Sequence, residues 1–455
     1  RARVRGRAEV DPDSLDVRIR LRLRPRRRTR FGPVSVHGND LVPKSSIRAR
    51  LSWQEGDWFD PRKVADSRRR LMRFGRFSTA RIDLGGGPRN DVAPVRVTVT
   101  ESPRNELRLG GGFGIDPANY LIRGRAGYTR HGVLDPLTTL NVDLRPAYAL
   151  IRGTGADQGF VGELGASLTR EDLWLPLLRG TASFTYNLDE VEAYSTQGPK
   201  LGLSLARSLF RERLRIGVGW RFRLLQVFDV DERVTPETRM RLGFESPYRI
   251  GWYEQSVTYD GRDNPLDAKR GIYAQLRFEQ GTPLAGSEFS YVLMTPELRG
   301  YLPLGSPRII GAARVRYGTT LSGVLPITQR YFAGGASSHR GFPQRHLTPV
   351  EGDVQTGAVG IGGDTLLETN VEARVDMFEL FGEWLGLVVF ADGADVTLAT
   401  GQLSASNLHW AAGAGLRYDT VVGPIRFDLG FRLNRLQDLD PGDRIAYHLS
   451  IGEAF

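Results

Sequence analysis

The segment "GGASSHRGFPQRHLTP", residues 334–349, sets Arg340, Arg345, His339 and His346 into a glycine-rich stretch between two strand-like segments. A glycine-rich turn cradles phosphate when a strand precedes it, a helix follows and a Lys-Ser/Thr pair closes it. None of these is present. Nucleophilic and metal chemistry find no better footing. There are six histidines and no cysteine, no Gly-x-Ser-x-Gly elbow and no cluster with ligand spacing. "DLDPGDR" (Asp438–Arg444) has the acids of a calcium loop without the twelve-residue spacing or terminal Glu, and reads as a turn. The expectation is therefore a non-enzyme without metal or cofactor. Two readings of the loop remain: a solvated surface loop, or one folded inward so that its arginine meets carboxylates. The candidates for such a meeting are Glu372 in "TNVEARVDMF" and Asp392 in "GLVVFADGADV".

The elements that must position these residues follow from pattern. No run of about 18 apolar residues exists, which excludes a helical membrane protein. The absence of cysteine excludes a disulfide framework. The net charge of +10 is uneven: residues 1–30 hold twelve arginines and four carboxylates, a net of +8, leaving +2 for the rest. A basic arm on a neutral body invites a nucleic-acid reading. "DVRIRLRLRP", however, alternates Val17, Ile19, Leu21 and Leu23 with arginine, as a strand with one wet face does. No secretory leader opens the sequence, which reads as mature or trimmed.

From Phe31 to Pro103 the order is β-α-α-β-β. "GPVSVHGND" is a strand and turn, and "PKSSIRARL" a short helix. A second helix opens at Asp60 as N-cap with Pro61 in its first turn and stops at Gly75; "STARIDL" and "VRVTVTE" alternate as strands. Beyond Arg104 no helical period is visible, and alternating segments recur to the end. In "IRFDLGFRLN", Ile425, Phe427, Leu429, Phe431 and Leu433 share one face, and Arg426, Asp428, Arg432 and Asn434 the other. Sixteen such segments are counted, from 105–115 to 444–455, with soft boundaries between 150 and 210. Many reach ten residues, and their polar faces are strongly ionic. Both features suit a closed transmembrane barrel with lipid outside and a wet lumen inside. Short turns such as "LGSP" alternate with long links at 229–250 and 319–367, and the opening segment lies in the longest.

Parity then gives that loop partners. Val371, Ala373, Val375 and Met377 face lipid, so Glu372 faces the lumen; Asp392, late on an apolar strand, needs a cation if it points inward. Arg340 could bridge both, because guanidinium offers a planar fork of donors. The alternative is three separately solvated charges.

These residues resemble a known family. The βααββ segment is similar to a POTRA domain, and barrel plus loop resemble the outer-membrane insertase superfamily that includes BamA and TamA. The resemblance covers nearly the whole chain. Its loop motif matches at Gly334, Gly335, Arg340, Gly341 and Phe342, although His339 replaces a small aliphatic residue and Phe342 stands where Tyr is common. The resemblance implies that the loop returns into the lumen and that its arginine contacts Glu372 and Asp392. It also implies that Phe455 ends the barrel as a C-terminal signal. A seam between first and last strands would be marked by Gly110, Gly111, Gly112, Gly114 and Gly452, whose lack of side chains either weakens pairing or makes room for close backbone contact. The expected organisation is thus the end of a preceding POTRA domain at 1–30, so that the chain begins inside a longer protein, then a POTRA domain at 31–103 and a sixteen-stranded antiparallel barrel at 104–455. The expected function is assembly of outer-membrane proteins, with substrate strands guided by POTRA edges and by the seam. The expected partners are the lipid bilayer, unfolded outer-membrane or secreted proteins and accessory subunits, with no nucleic acid. The expected place is the outer membrane of a Gram-negative bacterium, with the POTRA region in the periplasm. "FELFGEW" and "SIGEAF" lean towards the TamA type. The alternative is a polypeptide export pore of the two-partner secretion kind.

Overall fold

The computed structural model describes residues 3–10, 17–24, 29–85, 92–115, 119–151, 158–191, 194–210, 212–244, 247–265, 267–351, 359–418, 425–434 and 444–452. Phe455 lies outside the described residues. The chain divides into two compact units, Arg1–Pro103 and Arg104–Phe455.

The first unit contains an antiparallel hairpin, β1 (Arg3–Val10) with β2 (Val17–Arg24). It continues with β3 (Arg30–His37), helices α1 (Lys44–Arg48) and α2 (Pro61–Arg73), β4 (Phe77–Leu84) and β5 (Val92–Glu101). Helix α2 starts where the sequence signals it: the Asp60 carboxylate accepts from the backbone N–H of Arg62, and proline occupies the first turn. The sheet order is β3-β5-β4, with β5 central, parallel to β3 and antiparallel to β4. Phe31, Ile47, Leu71, Val95 and Val97 are its buried core, and Phe31 stacks on Trp53 at 4.4 Å. The start of the outer edge of β3 is bonded to residues 56–59, with an antiparallel bridge from Arg30 to Trp58; beyond Phe31, and along β4, no strand lies on the outer edge among the described residues.

The second unit is one closed sheet of sixteen antiparallel strands. They are β6 (Asn105–Ile115), β7 (Asn119–His131), β8 (Thr138–Ile151), β9 (Gln158–Arg170), β10 (Leu178–Val191), β11 (Tyr194–Leu209), β12 (Leu214–Phe228) and β13 (Tyr248–Asp260). Next come β14 (Gly271–Gly281), β15 (Tyr291–Leu304) and β16 (Ser306–Gly323). A small hairpin follows, β17 (Val350–Glu351) with β18 (Val359–Gly360). The barrel resumes with β19 (Thr365–Leu380), β20 (Glu383–Thr397), β21 (His409–Tyr418), β22 (Ile425–Arg432) and β23 (Ile445–Gly452). Alternation does what parity requires. Leu107, Leu109, Ile122, Phe160, Val218 and Val371 stand exposed on the outer wall, while the interleaved charged residues turn inward. No helix among the described residues is long and apolar enough to cross a membrane, so any crossing is made by strands.

One expectation is corrected. The stretch beyond Arg104 contains a helix, α3 (Pro236–Leu242), capped by Thr235 and stopped by Gly243 in the left-handed conformation. Seven residues are too few to show a period, but the Thr-Pro start and Gly stop are ordinary cap signals. Helix α3 and residues 324–351 and 359–364 form an apolar cap at the barrel rim reached by the C-terminal ends of β12 and β16. Leu225, Leu242, Ile250, Leu325, Ile327 and Leu366 are at most 1 % exposed there. The Thr238 hydroxyl donates to the Glu351 carboxylate at 2.9 Å, which ties the helix to the loop. Each such buried aliphatic contributes about 1.5–3 kcal/mol, so the loop is held as part of a core.

Candidate functional site: a loop docked on the last five strands

The loop reaches the lumen wall through a tight turn. Gly334 has φ 107°, a conformation that disfavours any residue with a Cβ. Gly335 N–H donates to Phe342 O at 3.0 Å and Ser338 N–H to Gly335 O at 3.1 Å, so the segment 335–342 closes on itself. Its tip presents Arg340, which is 5 % exposed.

The guanidinium fork takes Asp392 on β20 almost entirely. Arg340 Nε donates to Oδ2 and Nη2 to Oδ1, both at 2.7 Å, and the backbone N–H of Arg340 adds a third bond at 3.0 Å. Arg340 Nη1 donates to Glu372 Oε2 on β19 at 3.2 Å and lies 4.0 Å from Asp428 on β22. The Arg340 Cζ sits 3.5 Å from the centre of the Phe390 ring, so the cation is stacked as well as paired. Asp392 is fully buried, and its further donor is Asn370 Nδ2 at 2.9 Å. The structure thus brings Arg340 together with both acids named from the sequence, but unequally. Glu372 also accepts from Arg374 at 2.6 Å, whereas Arg340 is the one cation paired with Asp392 among the described residues.

Several partners went unnamed in the sequence. On β22, Gly430 lies under the motif: a Cβ there would stand 2.3 Å from Arg340 O, so only glycine lets the loop lie flat on this strand. Asp428 is 1 % exposed and accepts from Arg417 at 2.6 Å. Arg432 Nε donates to Gly341 O at 2.6 Å, and its Cζ lies 3.9 Å from the Phe342 ring centre. On β23, His448 Nε2 donates to Arg340 O at 3.3 Å. On β19, Glu368 takes the Ser338 hydroxyl. Inward parity was visible for Asp428, Arg432 and His448. The height at which each meets the loop depends on register, which the sequence does not display.

His339 is part of the clasp. Its Nε2 donates to His409 O at 2.9 Å, and its Nδ1 accepts from Gly341 N–H at 3.2 Å, which defines a neutral tautomer. Burial lowers its pKa to about 4. Its ring and that of His409 both meet Phe342 edge-on, at 5.1 and 5.5 Å.

Beside this dock runs the closure of the barrel. The β23–β6 ladder comprises Leu449–Ile115, Ser450–Gly114, Ile451–Phe113 and Gly452–Gly112, four pairs among the described residues. The β6–β7 ladder has eleven, from Asn105 to Ile115. Residues Asn105–Gly111 of β6 therefore have no partner on their β23 side among the described residues. Built Cβ atoms at Gly110, Gly111 and Gly114 meet nothing nearer than 3.6 Å, so steric crowding does not call for glycine at these three positions.

A sixteen-stranded barrel with a small βααββ unit and an inward arginine loop is matched by two family models. The Omp85 superfamily domain model covers residues 163–455, well over half of the chain. The chain belongs to the Omp85 superfamily. The POTRA model, described as a surface antigen variable number repeat, covers residues 29–102. Among curated Omp85 relatives, the outer membrane protein assembly factor BamA of Nitratidesulfovibrio vulgaris is 24 % identical over 424 residues, 89 % of this chain and 49 % of the relative. BamA of Neorickettsia risticii is 24 % identical over 417 residues, 88 % of this chain and 52 % of the relative. The chain thus spans about half the length of these two relatives, whose names do not carry the leaning towards the TamA type. Among solved structures, BamA from Haemophilus ducreyi lacking POTRA domains 1–3 aligns with a TM-score of 0.66 at 18 % identity, over 99 % of this chain and 89 % of that one. CdiB from Acinetobacter baumannii aligns with a TM-score of 0.61 at 12 % identity, over 98 % and 77 %. At these identities the structural matches establish the fold alone.

Proposed function

We propose that this Omp85 protein is an assembly factor that inserts β-barrel proteins into the outer membrane, where its barrel resides with the POTRA region in the periplasm. The observation that carries the proposal is that β6 and β23 close the barrel as first and last strands, through a ladder of four pairs among the described residues. In hydrocarbon an unpaired backbone group costs several kcal/mol, so a seam that parts would favour an incoming strand that supplies the missing bonds. Seam glycines without steric need lower the cost of parting the two strands. The outer edge of β4, and that of β3 beyond Phe31, offer the same kind of pairing to an extended substrate in the periplasm. In this account the substrates are unfolded outer-membrane or secreted proteins, accessory subunits bind elsewhere on the chain, and no covalent bond is made or broken.

The docked loop argues against the export-pore alternative. Arg340, Phe342 and the apolar cap hold residues 324–351 and 359–364 against the lumen wall, and releasing them for each substrate would expose buried charge and core. The test is reconstitution: proteoliposomes containing the protein should speed the folding of an unfolded outer-membrane barrel protein while showing low, flickering conductance. A steady wide pore without acceleration of folding would favour export. Residues 1–30 are assigned in the same proposal to the end of a preceding POTRA domain.

A further inference from the structure

The outer wall carries a cavity of about 620 Å³, away from the docked loop and the seam. Its lining follows one cross-strand row. Gln280 on β14 is the register partner of Tyr253 on β13, and the row continues through Trp220 on β12, Leu203 on β11, Ala182 on β10 and Leu168 on β9. All six line the cavity, and alternation puts them on the outer face with exposed Val218 and Val257. A row across six strands covers five strand spacings, about 24 Å, and because barrel strands tilt it climbs the wall obliquely.

A barrel wall is convex, so a groove on it needs sides of its own. Ala182 and its neighbour Gly180 make a low floor. At one end Leu173, from the β9–β10 turn, folds back over Gly180 and leaves no room for a Cβ there. At the other end the β14–β15 connection folds down the outer face and is pinned: Trp220 Nε1 donates to Ala285 O at 3.0 Å, and the Tyr253 hydroxyl to Leu284 O at 3.4 Å. Between these ends the outward side chains are apolar except for two amides. Gln280 and Gln255 are diagonal neighbours across the β13–β14 ladder, Gln255 standing opposite Phe278, and both line the cavity. Neither carboxamide has a hydrogen-bond partner among the described residues. An amide so placed is costly in hydrocarbon until a group there accepts its N–H bonds.

We propose that this groove holds one acyl chain of a phospholipid, with its ester carbonyl accepting from Gln280 or Gln255 and its methylenes lying along the row towards Leu168. The wall faces hydrocarbon, so a lipid chain is the occupant at hand, and the amides donate the bonds that an ester carbonyl accepts. An extended polypeptide fits worse, because an apolar row leaves its backbone groups unpaired. Trp220 lies two strand spacings from Gln280, about 10 Å, level with the middle of a chain anchored there. The site rests on the barrel standing in a bilayer and is read by binding alone, so it stands or falls separately from the assembly reading.

The test places the full chain in phospholipid nanodiscs doped with a phosphatidylcholine brominated at mid-chain, a contact quencher of tryptophan, with Trp220 read as the difference from Trp220→Phe. The expected result is that Trp220 quenching saturates early, its midpoint at a mole fraction about tenfold below that of the remaining tryptophans. Ala182→Phe, which fills the floor, removes the preference, and Val371→Phe, on the outer face of β19, keeps it. An ether-linked brominated lipid, which lacks the carbonyl, moves the Trp220 midpoint up about fivefold, the worth of one hydrogen bond. Gln255→Leu with Gln280→Leu abolishes that difference between ester and ether. Quenching of Trp220 in step with the other tryptophans overturns the proposal whatever the variants do. So do equal midpoints for ester and ether lipids in the unmodified protein, or a preference that Ala182→Phe leaves intact.

Discussion

Removing the Arg340 side chain should expose how unequally its two carboxylates depend on it. In Arg340→Ala, Asp392 keeps the backbone N–H of residue 340 and Asn370 Nδ2 but loses its cation while remaining fully buried. A unit pair at ~4 Å and an effective dielectric of ~20 is worth about 4 kcal/mol, in line with the ~3–5 kcal/mol typical for breaking one side of a buried pair. Glu372 differs: its side chain is 18 % exposed and Arg374 still holds it at 2.6 Å, so its coupling to Arg340 should be about 1 kcal/mol or less. The assay is a pair of double-mutant cycles, Arg340→Ala with Asp392→Asn and with Glu372→Gln, read as reversible unfolding in detergent. The account predicts a coupling of about 3 kcal/mol or more for Asp392, some 150-fold in the unfolding constant, and several-fold less for Glu372. Arg340→Lys should recover little, because an ammonium lacks the fork that meets Oδ1, Oδ2 and Glu372 together. Additive losses at both acids, or equal couplings, would refute the reasoning and return the loop to a set of separately solvated charges.

Two further outcomes follow from the same clasp. Gly430→Val should lift the loop from β22, since a side chain there collides with Arg340 O; conductance in planar bilayers should rise while Gly401→Val, at a position with nothing within 4 Å of a built Cβ, leaves it low. Unchanged conductance in Gly430→Val would mean the loop does not block the lumen through this contact. His339 makes the dock sensitive to acid: its folded pKa is about 4 and its unfolded value about 6.5, so the unfolded chain binds the extra proton between these values. Stability from this group is therefore complete above about pH 6.5 and falls on acidification, by about 2 kcal/mol at pH 5. His339→Asn should show that much less loss between pH 7.5 and pH 5 in thermal unfolding, and an identical loss in both proteins would exclude His339 as the cause.

Much of the fold was legible because a barrel strand reports its own faces. Ile425, Phe427, Leu429 and Phe431 alternate with Arg426, Asp428, Gly430 and Arg432, and β22 is built that way. The same parity placed Glu372 inward and made Asp392 a candidate, and the guanidinium chemistry of Arg340 supplied the link. What parity lacks is height. Asp428, Arg432 and His448 were recognisable as inward-facing, yet their contacts with the loop depend on ladders such as Asp428–His448 and Ala411–Arg432. Gly430 was illegible for a related reason: a glycine in an alternating strand looks like a missing side chain until a second backbone is found above it. Helix α3 escaped because seven residues carry no period, although Thr235, Pro236 and Gly243 marked both its ends. The apolar cap joins segments more than a hundred residues apart, such as Thr238 and Glu351, a pairing that no local pattern contains.

The central claim is that assembly proceeds through the β6–β23 seam, and locking that seam tests it most directly. The chain has no cysteine, and Gly114 and Ser450 are register partners across the seam, so Gly114→Cys with Ser450→Cys places two thiols within disulfide reach. Folding of an unfolded outer-membrane barrel protein is then followed in proteoliposomes with the pair oxidised and after reduction. The account predicts that the oxidised protein loses its acceleration of folding and regains it on reduction, with each single-cysteine variant active in both states. Full activity in the oxidised, quantitatively cross-linked protein would contradict it.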